Sequence, residues 1–294
     1  MKFNHIYVIA VLMWGLLSSC ISEDYSDCYN RYVVDLSYVG DGKTEIFPSK
    51  INKVQMYIFD NEEKCIHQYG LTQEEVSQQR VMLPPLETGD YRIVFLGNTH
   101  STDVKDLSTR GGLEELHFGA EAYWNNAEVS GNDSLYWAAI DQKIEPFVPE
   151  RQITYNTAHF AASHYDISVD VIGIPSAPKV VLTGVSPYTS FNNVATEDAQ
   201  AEYVLDVSYD GVSRAKAACN ILRHLDHENV YLKVLSQGGE ELACICFADF
   251  LQKNSTYLDC SKHEVLIPFK VEFKSANVEV TLPDWFVVEI NPEF

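Results

Sequence analysis

Residues 53–60 read Lys-Val-Gln-Met-Tyr-Ile-Phe-Asp. A run of β-branched, aromatic and aliphatic side chains closed by an aspartate has the length and composition of a strand. Side chains alternate across a strand, so Tyr57 and Phe59 share one face while Val54, Met56 and Ile58 share the other. A sheet with one wet face would show a polar residue at every second position. Here both faces are apolar, and the strand is expected inside a sandwich of sheets.

The same grammar continues on either side. Arg31–Val39 (RYVVDLSYV) and Asp90–Gly97 (DYRIVFLG) are strand-like, the second introduced by turn residues at Pro84-Pro85 and Glu87-Thr88-Gly89. Leu113–Asn126 is expected as a short helix or ordered loop crossing the end of the sandwich. Pro146 and Pro149 stiffen the chain and stop strands, which puts a domain boundary near Glu150. Beyond it, strands are expected at 165–172, 179–185, 201–209, 217–224, 230–235, 241–247, 264–273 and 285–290. The fold class is therefore all-β, with one β-sandwich over 31–150 and another over 151–294. Val33–Gly40 (VVDLSYVG) and Val204–Gly211 (VLDVSYDG) are similar enough to hint at duplication.

Ahead of the strands, Ile6–Leu17 is an apolar run of about a dozen residues, short of the roughly 20 that span a hydrocarbon core. Lys2 before it and small residues after it are the layout of a cleaved secretory signal over residues 1–19. Leu17-Ser18-Ser19-Cys20 resembles a bacterial lipobox, so Cys20 is the expected lipidation site and the new N-terminus. Residues 20–30 then form an acidic tether, in which Ile21-Ser22-Glu23-Asp24 is similar to the signal that sends lipoproteins of Bacteroidota to the outer face of the outer membrane. More than one acyl chain gives a stable membrane hold.

Composition narrows the function classes. The chain has 21 basic and 42 acidic residues, net −21. Nucleic acid is excluded as a partner, because binding a phosphate backbone needs clustered Lys and Arg. Besides Cys20 there are six cysteines, and Cys28 with Cys65 is a reasonable staple between tether and first domain. Cys244 and Cys246 face the same side of one strand and are not expected to bond to each other.

Catalytic signatures are sparse. The sequence has no Gly-rich phosphate loop, HExxH pair or G-x-S-x-G elbow. His224, Asp226 and His227, with Cys219 nearby, lack the second half of a zinc site, so neither metal nor cofactor is expected. Glu62-Glu63, Glu74-Glu75 and Glu240-Glu241 lie side by side at turns, whereas glycoside hydrolysis needs carboxylates facing each other across a cleft. Tyr123-Trp124 and Tyr136-Trp137 flank a polar turn. Trp124, Tyr136 and Trp137 are expected to plug the sandwich; the alternative is a carbohydrate platform, which would make this a glycan-binding lipoprotein of a nutrient-uptake system.

The tether Cys20–Cys28 (CISEDYSDC), the strand Val54–Asp60 (VQMYIFD) and the later Leu86–Phe95 (LETGDYRIVF) together resemble the FimB-like lipoproteins of Bacteroidales, the anchor and accessory subunits of type V fimbriae. The likeness spans the mature chain and departs at Leu86-Glu87-Thr88-Gly89, where the family usually has Pro-Gly, and in the extra cysteines. The resemblance implies two tandem transthyretin-like, Greek-key sandwiches and no catalysis. It also implies a role in anchoring, capping or limiting a fimbrial polymer through strand contacts with stalk or accessory subunits. Pro283–Pro292 reads as a strand, with Phe286, Val288 and Ile290 on one face and Trp285 and Val287 on the other. It is expected either to close the second domain or to meet the next subunit.

Overall fold

A computed structural model describes residues 30–105, 107, 112–148, 153–194, 199–223 and 229–290, with side chains through Val287. Cys20, Cys28, His224, Asp226 and His227 lie outside the described residues.

The first half runs β1 (Tyr32–Ser37), α1 (Phe47–Lys50), β2 (Val54–Phe59), β3 (Cys65–Gly70), α2 (Gln73–Ser77), β4 (Arg80–Met82), β5 (Gly89–Gly97), β6 (Thr102–Lys105), β7 (His117–Ala120), α3 (Glu121–Trp124) and β8 (Tyr136–Ile144). It continues through β9 (Thr154–His159) and β10 (Ala161–Ala162). The second half holds β11 (His164–Ile172), β12 (Lys179–Val185), β13 (Tyr188–Ser190), β14 (Ala201–Leu205), β15 (Val207–Tyr209), β16 (Arg214–Leu222) and β17 (Tyr231–Leu235). It ends with β18 (Glu241–Cys246), α4 (Phe247–Lys253), β19 (Leu266–Phe273), β20 (Val278–Thr281) and α5 (Asp284–Ile290).

Two sandwiches result. In the first, the sheet β4-β1-β9 covers the sheet β10-β8-β5-β2-β3. Val34 and Leu36 of β1 share a core with Val54, Met56 and Ile58 of β2 and with Ile93 and Phe95 of β5. In the second, β15-β16-β11-β19-β20 faces β14-β12-β17-β18 over Ile167, Val169, Val171, Leu182, Leu232 and Val234. Phe250 of α4 stacks on Phe269 at 4.2 Å and closes that core.

Both faces of β2 are buried, as its composition demands, but against different neighbours. Val54, Met56 and Ile58 face the first core; Tyr57 and Phe59 face a third apolar cluster with Leu116, Phe118, Phe191 and Leu222. That cluster lies beside a small sheet, β13-β7-β6, in which strands from the two halves pair antiparallel. Leu113, Leu116 and Phe118 are buried as an ordered crossing segment, and its only helix is the short α3.

Three expectations are corrected. The strand pairing carries the first sandwich past residue 150: β9 lies parallel to β1 from Tyr32↔Thr154 to Ser37↔His159, and β10 pairs with β8. After β8, residues 145–148 carry no regular structure, and the chain pairs again within the first sandwich from Thr154. The strand expected over 201–209 breaks at Asp206, so that β14 pairs with β12 in one sheet and β15 with β16 in the other. Val33–Gly40 and Val204–Gly211 thus hold unlike places, one within a sheet and one spanning two. The third correction concerns 284–290, which is helix, not strand. Pro283 and Asp284 supply a helix start, and the successive residues Phe286 and Val287 both pack against the second core, which one face of a strand does not allow.

Candidate functional site: the domain junction and the sheet edges

The junction is built first from backbone. Thr102–Lys105 pairs with His117–Ala120, and His117–Gly119 with Tyr188–Ser190, so one sheet contains both halves. Gly119 is required where the strands meet, because a Cβ there would lie 2.3 Å from the Pro187 carbonyl oxygen. Below it, Phe191 sits edge-on to Tyr57, Phe59 and Phe118 at 5.1, 5.7 and 5.8 Å. Trp137 Nε1 donates to the Phe191 carbonyl at 2.8 Å.

A polar lock reinforces this apolar joint. Glu264, from the second half, accepts hydrogen bonds from Tyr38 Oη, Lys50 Nζ and, at 3.3 Å, Tyr136 Oη, all from the first. Asp41 accepts from the backbone N–H groups of His263 and Glu264 at 3.0 and 3.2 Å. Burial alone would raise the Glu264 carboxyl, but the hydrogen bonds from Lys50 and Tyr38 outweigh it and hold the group below the ordinary carboxylate value. Burial and the same carboxylate push the phenols of Tyr38 and Tyr136 upward. His164 is buried beside this lock, its Nδ1 2.8 Å from the Leu135 carbonyl, and burial holds its imidazole below the usual histidine value.

The structure disperses the candidate aromatic platform. Tyr136 is buried against Tyr38 and His164, at 4.9 and 5.3 Å. Trp137 is its neighbour on β8 and turns to the opposite face, into the third cluster. Trp124 lies apart on α3, stacked on Tyr188 at 4.8 Å. Sequence reading missed Tyr188, whose short strand carries no alternating pattern.

The remaining named residues stand separately. Cys65 is half-buried, has no disulfide partner among the described residues, and its Sγ donates to the His67 carbonyl at 3.5 Å. Cys219 is a half-buried thiol on β16, pushed up to about 12 by burial. Trp285 is half-exposed on α5, and Phe286 and Val287 cover part of the second core; the side chains of Val288 and Ile290 lie outside the described residues. No helix among the described residues is long and apolar enough to cross a membrane. What the surface offers instead is sheet edge: β3, β18 and β20 each end a sheet.

Residues 25–291 match the profile of the fimbrillin-A associated anchor proteins Mfa1 and Mfa2. The chain belongs to this family. No curated protein matches it. Among solved structures it is similar to the fimbrial anchor protein Mfa2 of Porphyromonas gingivalis (TM-score 0.68, 12% identity, 86% of this chain and 98% of that one). It is also similar to a candidate adhesin of Bacteroides ovatus (TM-score 0.67, 13% identity, 87% and 94% covered). A third likeness is to a candidate polysaccharide-binding protein of Bacteroides thetaiotaomicron (TM-score 0.65, 13% identity, 86% and 96% covered). At these identities the likenesses establish the fold, and the family match places the chain among fimbrial accessory proteins.

Proposed function

We propose that this member of the anchor-protein family is an outer-membrane lipoprotein, attached through Cys20 after removal of residues 1–19, that holds or limits a fimbrial polymer at the cell surface. The observation that carries this reading is the family match over 25–291, which takes in both sandwiches and begins five residues after Cys20, itself three residues past an apolar run. The role is structural. The locked junction makes the two sandwiches one body through which a pull on the polymer reaches the tether, and the open edges offer backbone groups to a partner strand.

Mass spectrometry of the mature N-terminal peptide from purified membranes tests the attachment. A diacylglyceryl group on Cys20 is expected; an unmodified N-terminus at another residue would refute it.

A further inference from the structure

Ten large apolar side chains stand exposed among the described residues, and four of them, Met82, Val148, Ile153 and Tyr155, surround the point where the chain enters the first sandwich. Met82 of β4 and Tyr155 of β9 are both in register with Val33 of β1, so the three form one row on the outward face of that sheet. Met82 is 49% and Tyr155 58% exposed, while Val33 between them is 5% exposed. Ile153 lies two residues before Tyr155 on the same face, where Thr154 N–H donates to the Arg31 carbonyl at 2.9 Å. Val148 is joined to the entry point by its N–H, which donates to Asn30 Oδ1 at 3.4 Å.

The charge of this face is unlike that of the whole chain. Its next row pairs Asp35 with Arg80 at 2.6 Å, and the Arg80 guanidinium lies 5.5 Å over the Tyr155 ring. Glu145, close to Asn30, is paired with Lys143 at 3.4 Å. A protein of net −21 therefore presents an apolar and aromatic patch beside its N-terminal entry, bordered by the Asp35–Arg80 pair and by the exposed Arg31.

Chain length selects the occupant. Asn30 lies ten residues after Cys20, a stretch that spans at most about 35 Å when fully extended. We propose that the outward face of β4-β1-β9 rests on the outer membrane, with Tyr155 and Met82 at the boundary between headgroups and acyl chains. Amphipathic tyrosines favour that boundary, and the paired charges avoid repulsion from anionic headgroups. This rests on the acylation of Cys20 proposed above.

The test uses the full acylated protein, reconstituted in phosphatidylethanolamine vesicles whose acyl chains are brominated, with Tyr155→Trp compared against Val212→Trp on an exposed turn of the second sandwich. Bromine quenches only an indole that reaches it. Interfacial apolar side chains sit about 5–10 Å into the boundary, so roughly half of the emission added by Tyr155→Trp should be lost relative to unbrominated vesicles. The emission added by Val212→Trp should be unchanged, and both variants should melt like the parent protein. Protein that fails to float with the vesicles overturns the acylation and this orientation together. Protein that floats with unquenched Tyr155→Trp emission overturns the orientation alone, and if that indole is also shielded from aqueous acrylamide the face belongs to a protein partner or a second copy.

Discussion

Glu264 and His164 make the junction sensitive to acid, and the sign follows from their surroundings. The folded-state value of Glu264 is lowered, so its contribution is complete above the unfolded carboxyl value near 4.5 and is lost as pH falls through the lower folded value. His164 is likewise lowered, because burial disfavours the imidazolium more than Asp166, 3.6 Å away, favours it. Its contribution is complete above 6.5 and declines as pH falls below that value toward the folded one. The melting temperature should therefore fall between about pH 7.5 and pH 5.5, and His164→Gln should flatten that part of the profile while leaving the steeper loss below the carboxyl value. An unchanged slope in His164→Gln would assign the acid sensitivity elsewhere. Glu264→Gln keeps the shape and removes the charge that Lys50 meets; it should cost about 1–2 kcal/mol in urea unfolding. Gly119→Ala must push apart two strand backbones and should cost about 1–3 kcal/mol by the same measurement.

At the scale of the element, α5 separates what composition says from what packing decides. Phe286 packs on the second core while Trp285 is half-exposed, so Phe286→Ala should cost about 1–3 kcal/mol and Trp285→Ala about 0.5 kcal/mol or less in denaturant unfolding. Equal effects would mean that the segment is not held as this helix. The β-branched residues of 285–290 spoke for a strand, and the Pro283-Asp284 helix start outweighed them through tertiary contact. Strands that are dense runs of β-branched and aliphatic residues, such as Lys179–Val185, were legible to the residue. Those without such a run were not: β3 is polar and exposed, and β6, β13 and β20 have four residues or fewer, too short for a pattern to show. The junction was illegible for a related reason. Glu264, Asp41 and Tyr38 lie more than 200 residues apart in part, and only the folded chain brings them together. The one signal that pointed there was the apolar second face of Val54–Phe59, which asked for a cover that the first sandwich alone does not provide.

As a whole molecule, the two sandwiches share a sheet, an apolar cluster and a polar lock, so they should unfold as one unit. Calorimetry of the native protein should show one transition, and a variant combining Glu264→Gln with Phe191→Ala should separate it into two. A body of this kind transmits force without yielding at its junction, which is what the proposed anchoring role requires. The tether decides whether it does so. The most direct measurement is a comparison of cells carrying the native protein with cells carrying Cys20→Ser, in which this protein and the fimbrial subunits are quantified in the cell envelope and in the culture medium. The account predicts that Cys20→Ser leaves the envelope fraction and that fimbriae are shed into the medium or lose their length control. Cys20→Ser that stays in the outer membrane, with fimbriae held as before, would contradict it.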